Sequence, residues 1–197
     1  MRKRLIVGLT GSFGSGKSTA GRIFKQLGAR KVIDADKLAH EVFRPGHPIG
    51  RRIKQLFHIQ GTPNRREIAR RVFSDLGRRR QLEALIHPYV FRRVRSELKK
   101  IKQGIIILDV PLLFETGFDQ LCDLTVSVLA RERHIVERLA RGGYRPEEVR
   151  ARLKSQLSMD EKKKRSDLCV ENIGSKKELI QKIKLIWNRL KLNLNQR

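Results

Sequence analysis

The sequence predicts an α/β fold, a central parallel sheet layered between helices. Three observations predict it. Apolar runs at Leu5–Leu9, Ile105–Leu108 and Leu124–Leu129 have the length and composition of buried strands. The first is followed by apolar positions at helical spacing, and the third by a helix with one basic face. Between the first run and its helix lies a glycine-rich loop, so the order is strand, loop, helix.

That loop is Gly11-Ser12-Phe13-Gly14-Ser15-Gly16-Lys17-Ser18-Thr19, which fits G-x-x-x-x-G-K-[ST], the phosphate-binding P-loop. Glycines let backbone N–H groups approach phosphate oxygens without a Cβ in the way. The helix N-terminus adds unpaired N–H groups and partial positive charge. Gly14, Ser15, Gly16, Lys17, Ser18 and Thr19 are therefore the expected nucleotide contacts. Lys17 is expected to reach the β- and γ-phosphates, and Ser18 to ligate Mg²⁺. Ala20, Ile23, Phe24 and Leu27 carry the helix, and Gly28 stands at its C-cap.

Arg30–Ile33 reads as a second strand running into Asp34-Ala35-Asp36. Ligands of open α/β sheets gather at the carboxyl ends of strands. Two carboxylates there suit a hydroxyl undergoing phosphorylation, one accepting its proton and the other near Mg²⁺. The alternative is an Asp N-cap for a helix starting near Lys37.

From Lys37 to Ile101 the pattern is helical and arginine-rich, with no strand signal. Pro45-Gly46-His47-Pro48 ends one helix, and Ile49–Phe57 forms the next. Gly61-Thr62-Pro63-Asn64 is a turn, and Arg65–Phe73 resumes helical spacing. Leu82, Leu85 and Ile86 lead to His87-Pro88, after which a further helix spans Tyr89–Ile101. The stretch reads as an insertion suited to gripping a second substrate. His87 is either a ligand contact or a structural histidine at a helix end.

Gly104–Asp109 is a buried strand ending in a carboxylate, the pattern of a Walker-B strand, and Asp109 is the candidate for Mg²⁺. Pro111-Leu112-Leu113-Phe114-Glu115 follows on the ligand side of the sheet. After Leu124–Leu129, a helix carries Arg131, His134, Arg138 and Arg141 on one basic face. Gly142-Gly143 breaks it, and Pro146 opens a second basic helix running through Arg150, Arg152, Lys154 and Gln156 toward Lys162–Arg165. Two basic helices joined by Gly-Gly suit a mobile lid, with Arg138 and Arg141 neutralising charge on transferring phosphates. The lysine run reads as mostly solvated. Leu168–Asn172 is a last short strand, where Asn172 and Gly174 can read an adenine edge. Ser175–Glu178 is a capping box for a final helix whose Leu179, Ile183, Ile186, Trp187, Leu190 and Leu194 form a packing stripe.

The 197 residues suit one domain with inserted parts. At 39% hydrophobic with six prolines, the chain is not disordered overall, and it has no apolar stretch long enough to span a bilayer. The basic Met1–Arg4 start precedes an apolar run that ends at the P-loop, so that run reads as a strand and not as a signal peptide. Cys122 and Cys169 lie in no CxxC or Cys/His cluster, which argues against a disulfide framework or a zinc site and for a cytoplasmic home. Lys+Arg 45 against Asp+Glu 20 gives a net charge of +25, suggesting polyanionic partners. No RNP-type or zinc-finger motif accompanies it, so specific nucleic-acid binding is not expected, only weak non-specific binding from charge.

Assembled, these residues resemble the dephospho-coenzyme A kinase family over nearly the whole chain. The markers are Leu9–Thr19, Ile33-Asp34-Ala35-Asp36, Leu85-Ile86-His87-Pro88, Pro111–Glu115, and Asn172 with Gly174. The resemblance implies a P-loop NTPase fold of the nucleoside/nucleotide-kinase type, with ATP, Mg²⁺ and dephospho-coenzyme A as ligands, no membrane partner, and a monomer or small homo-oligomer. It implies a core of residues 1–36, 104–135 and 166–197, a substrate-binding region at 37–103 and a lid at 136–165. It implies Asp36 as the base facing the ribose 3′-hydroxyl with Asp34 beside it. Lys17 and Arg138 join them as catalytic residues, Arg141 and Asn172 as nucleotide contacts, and Arg65, His87, Leu112 and Glu115 as substrate contacts. Two departures stand out: Ser12-Phe13 replaces the family's usual Gly-Ile, and the 58–64 loop is shorter than usual.

Overall fold

In the computed structural model, residues 3–59, 68 and 75–196 are described. Five strands form one parallel sheet in the order β2-β3-β1-β4-β5. They are β1 (Arg4–Gly11), β2 (Lys31–Asp34), β3 (Gly104–Asp109), β4 (Leu124–Leu129) and β5 (Leu168–Glu171). Register pairs Leu9 of β1 with both Asp109 of β3 and Val126 of β4, so the three strands run in parallel with their carboxyl ends at the same edge of the sheet. The runs are apolar almost without interruption because both faces of the sheet are covered. On one face, Leu5, Val7, Leu9, Ile105, Ile107, Val126 and Val128 pack against α1 (Lys17–Gln26) and the long C-terminal helix (Lys176–Gln196). That helix contributes Leu179, Ile183, Trp187 and Leu190, as its apolar stripe predicts. Its capping box is formed: Ser175 Oγ accepts the Glu178 N–H, and Glu178 Oε1 accepts the Ser175 N–H, both at 3.2 Å.

Contacts divide the chain into two units. One joins the residues up to Ile33 with those from Ile101 onward, and the other is Asp34–Lys100. In the second unit the described helices are α2 (Ala35–His40), α3 (Pro48–Phe57) and α4 (Leu76–Lys99), with a 3₁₀ turn at Glu41–Phe43. Val42, Ile53, Phe57, Ile59 and Ile68 form its core, with Leu82, Leu85, Ile86 and Tyr89 packed against it. The expected turn at Gly61–Asn64 lies outside the described residues, as does the helix expected over Arg65–Phe73 apart from Ile68.

Two helical expectations are corrected. The sequence predicts a break at His87-Pro88, but α4 runs through Pro88. Pro88 forfeits the bond its N–H would make, while Leu82, Leu85, Ile86 and Tyr89 on the flanking turns keep the helix seated on the core. The second basic helix expected from Pro146 to the lysine run is in fact two. After α5 (Glu132–Ala140) come α6 (Pro146–Lys154) and α7 (Met159–Arg165), which makes the C-terminal helix α8. Ser158 ends the continuity by capping α7, its Oγ accepting the Glu161 N–H at 3.1 Å.

Candidate active site

The P-loop follows β1 and hands the chain to α1 at Gly16. Gly14 and Gly16 have φ of 74° and 98°, in the left-handed region that favours glycine. A Cβ on Gly14 would lie 2.7 Å from Leu139 Cδ1, and one on Gly16 would overlap the Asn172 amide.

The loop is held from behind. Arg138 Nη1 donates to the Gly14 carbonyl at 3.0 Å, and Asn172 Nδ2 donates to the Ser15 carbonyl at 2.7 Å. In a trans peptide the N–H points opposite to the C=O. The Ser15 N–H is taken up within the loop by the Ser12 carbonyl at 3.0 Å, and pinning the Ser15 carbonyl turns the Gly16 N–H to the opposite side, as an anion-binding nest requires. Arg138 Nη2 also donates to the Asn172 carbonyl at 3.2 Å, so one guanidinium joins α5 to the loop and to the end of β5. Ser15 Oγ is buried with no hydrogen-bond partner among the described residues, an orphaned polar atom inside the loop.

Lys17, the first residue of α1, pairs through Nζ with Asp109 Oδ1. Asp109 ends β3 beside β1 and is 5% exposed. The ammonium and the carboxylate hold one another on the loop's floor, each placed at the carboxyl edge of the sheet. Ser18 follows Lys17 in the first turn of α1. No group of three or more His, Cys, Asp or Glu forms a metal cluster among the described residues. The donors Ser18 and Asp109 nonetheless fit Mg²⁺, which is commonly held by one or two protein oxygens together with substrate phosphates and water.

The helical hairpin α5–α6 packs on the same loop. Ala130, Ile135 and Val149 form a small core with Phe13, Val136, Leu139 and Leu153. The Phe13 ring meets Tyr144 edge-on at 5.6 Å and lies under the Arg152 guanidinium at 4.7 Å. The Phe13 N–H donates to Gln156 Oε1 at 3.0 Å. The Ser12-Phe13 departure is thus an apolar and cationic contact between loop and hairpin. Arg141 is the exposed C-cap of α5.

Asp34 caps α2, its Oδ1 accepting the Lys37 N–H at 3.0 Å, which realises the capping alternative for that residue. Asp36 lies in the first turn of α2. His87 sits within α4, and burial pushes its imidazole below the ordinary value, with Glu83 opposing and Arg79 reinforcing the shift. The shift favours the uncharged imidazole. Leu112 offers its carbonyl to Thr116, from both N–H and Oγ1. Arg65 lies outside the described residues.

The sequence pattern missed Lys162. The lysine run expected in solvent holds one fully buried member: the Lys162 side chain is 0% exposed and pairs with Glu115 Oε1 at 2.9 Å. A signal for it existed. With Ser158 as N-cap and Leu157 before it, Lys162 stands at the fourth helical position, the inward-facing partner in a hydrophobic staple.

The family model for dephospho-CoA kinase matches residues 5–178. A dephospho-CoA kinase of Symbiobacterium thermophilum is 37% identical over 191 residues, covering 92% of this chain and 80% of its own. One from Thermus thermophilus is 38% identical over 190 residues, covering 94% and 92%. A crystal structure of a Thermus thermophilus protein superposes with a TM-score of 0.83 at 36% identity, covering 96% of this chain and 99% of that one. The dephospho-CoA kinase of Campylobacter jejuni, 22% identical over 94% of this chain and 97% of its own, shares the fold with a TM-score of 0.62. With a P-loop pinned from behind, a carboxylate at the end of the neighbouring strand and this match along most of its length, the chain belongs to the dephospho-CoA kinase family.

Proposed function

We propose that this kinase transfers the γ-phosphoryl group of ATP to the ribose 3′-hydroxyl of dephospho-coenzyme A, giving ADP and coenzyme A. Family membership names the substrate class. The observation that carries the chemistry is the pinned P-loop, whose Gly14 and Ser15 carbonyls are drawn outward by Arg138 and Asn172. Gly14 to Thr19 cradle the phosphates, Ser15 Oγ supplying a further polar contact. Lys17 moves between Asp109 and the β- and γ-phosphates, and Arg138 and Arg141 offset charge on the transferring group. Ser18 and Asp109 would hold Mg²⁺, which on binding neutralises phosphate charge.

Asp36 accepts the proton of the 3′-hydroxyl as its oxygen bonds to the γ-phosphorus and the bond to the ADP oxygen breaks. Asp34 orients Asp36 by fixing the start of α2. His87, Leu112, Glu115 and Arg65 contact the dephospho-coenzyme A. The backbone around Asn172 and Gly174 faces the adenine, since the Asn172 amide N–H is committed to Ser15. In this reading residues 37–103 bind substrate and 136–165 act as the lid. The enzyme works in the cytoplasm as a monomer or small homo-oligomer, without a specific nucleic-acid or membrane partner.

Asp36→Asn tests the mechanism. ATP affinity should stay within about threefold, while turnover with dephospho-coenzyme A falls by roughly 10²–10⁴, the range for loss of a general base. Near-normal turnover would remove Asp36 from the chemistry.

A further inference from the structure

Lys162 lies outside every role assigned above, yet it is fully buried and charged. Its Nζ donates to the Glu115 carboxylate at 2.9 Å and to the Pro111 carbonyl at 3.1 Å. Each acceptor leads to the phosphate site. The Pro111 carbonyl also accepts Thr10 Oγ1 at 2.9 Å, and Thr10 is the residue before P-loop Gly11. Pro111 is two residues beyond Asp109, the partner of Lys17. On the other side, Glu115 Oε1 accepts the Leu157 N–H at 3.0 Å, and the neighbouring Gln156 accepts the Phe13 N–H. The contacts close a ring through Thr10, Pro111, Lys162, Glu115, Leu157, Gln156 and Phe13, and Gly11 and Ser12 of the P-loop complete it.

A buried ion pair is a poor way to gain stability, because an apolar pair of similar volume often serves as well. What the ammonium adds is direction. It fixes two oxygen acceptors at once, one on the segment leaving the Asp109 strand and one on the carboxylate that holds the base of the hairpin. We propose that Lys162 is a positioning residue for phosphoryl transfer, setting the α5–α6 hairpin and the segment leaving the Asp109 strand in register with the P-loop. The proposal rests on the lid reading above.

The test is Lys162→Met, with Lys162→Arg as the conservative variant, assayed for ADP release with ATP-Mg²⁺ and dephospho-coenzyme A and for amide hydrogen exchange. The parent enzyme is measured first. If it releases no ADP, the kinase reading fails, whatever the variants do. Given parent turnover, Lys162→Met should lower kcat by about tenfold or more with KM for ATP within about threefold, the split of a group acting after binding. Exchange at Leu157 and Phe13 should quicken by about tenfold while core amides such as Val7 and Ile107 are unchanged, because the ring opens locally. Lys162→Arg should recover part of both. A kcat within about twofold of the parent overturns the proposal. So does a loss of kcat with core exchange rising alongside, which marks a purely structural role. Should Lys162→Met fail to fold, Lys162→Gln, which keeps an N–H donor, is judged by the same criteria.

Discussion

Asn172→Ala is the sharpest probe of how the P-loop is shaped. Asn172 is 6% exposed, and its Nδ2 donates to the Ser15 carbonyl at 2.7 Å in a buried setting. Its backbone N–H bonds to the Leu129 carbonyl at 2.7 Å and survives the substitution. The loss is therefore one side-chain bond and one buried carbonyl left without its donor, about 1–3 kcal/mol. For a domain of this size that is a Tm drop of about 3–9 °C. The freed carbonyl no longer fixes the direction of the Gly16 N–H. If about 1–2 kcal/mol of the loss appears in phosphate binding, the Kd for ATP rises roughly 5- to 30-fold. Asn172→Asp should be worse, since it sets a carboxylate against the carbonyl and near the phosphates. Thermal melts and calorimetric ATP titration read both quantities. A Tm within about 1 °C of the parent and a Kd within twofold for Asn172→Ala would refute the argument that this amide aims the loop.

Other substitutions follow from the same geometry. Gly16→Ala forces a Cβ onto the Asn172 amide, so its effect on ATP affinity should be strongly non-additive with Asn172→Ala in a double-mutant cycle; additive effects would uncouple the two residues. Phe13→Ala loses an edge-on ring contact of about 0.5–1.5 kcal/mol, and tryptic cleavage at Arg150 or Arg152 should quicken; unchanged cleavage would show that the hairpin does not depend on Phe13. Glu41 is held below the ordinary carboxylate value by the Tyr89 hydroxyl and then by Arg93, against the opposing effect of burial. Its depressed value makes a contribution to stability that is complete above the unfolded-state value and is lost as pH falls through the folded one. The Tm gap between the parent and Glu41→Gln should therefore be widest near neutral pH and shrink below about pH 4; a gap constant through that acid range would contradict it. Burial pushes the Cys122 thiol up to about 12; it also raises the Cys169 thiol, but that residue is exposed to solvent. One thiol per chain should react promptly with a disulfide reagent at pH 8 and the second only on unfolding; two prompt equivalents would contradict this burial.

Much of this was legible in the chain because the decisive signals are local. The strand, glycine loop and helix of Leu5–Leu27 are contiguous, and Asp109 is marked by the apolar run before it. What escaped depends on partners distant in sequence. Pro88 signals a break locally, but the core on its flanking turns carries α4 through it. Lys162 reads as solvated within a basic run, and only Glu115, 47 residues away, explains its burial. Asn172 was expected at the nucleotide, yet its amide N–H reaches 157 residues back to orient the loop. Arg138 was expected on phosphate, and two of its nitrogens hold backbone carbonyls.

The most direct test of the central claim is ADP release by the wild-type enzyme with ATP-Mg²⁺, comparing dephospho-coenzyme A with adenosine, AMP, cytidylate and an RNA-only control. The account predicts ADP release with dephospho-coenzyme A alone, and coenzyme A as the product. No turnover with it, together with ATP hydrolysis stimulated by RNA, would contradict the account and make the +25 charge the better guide to function.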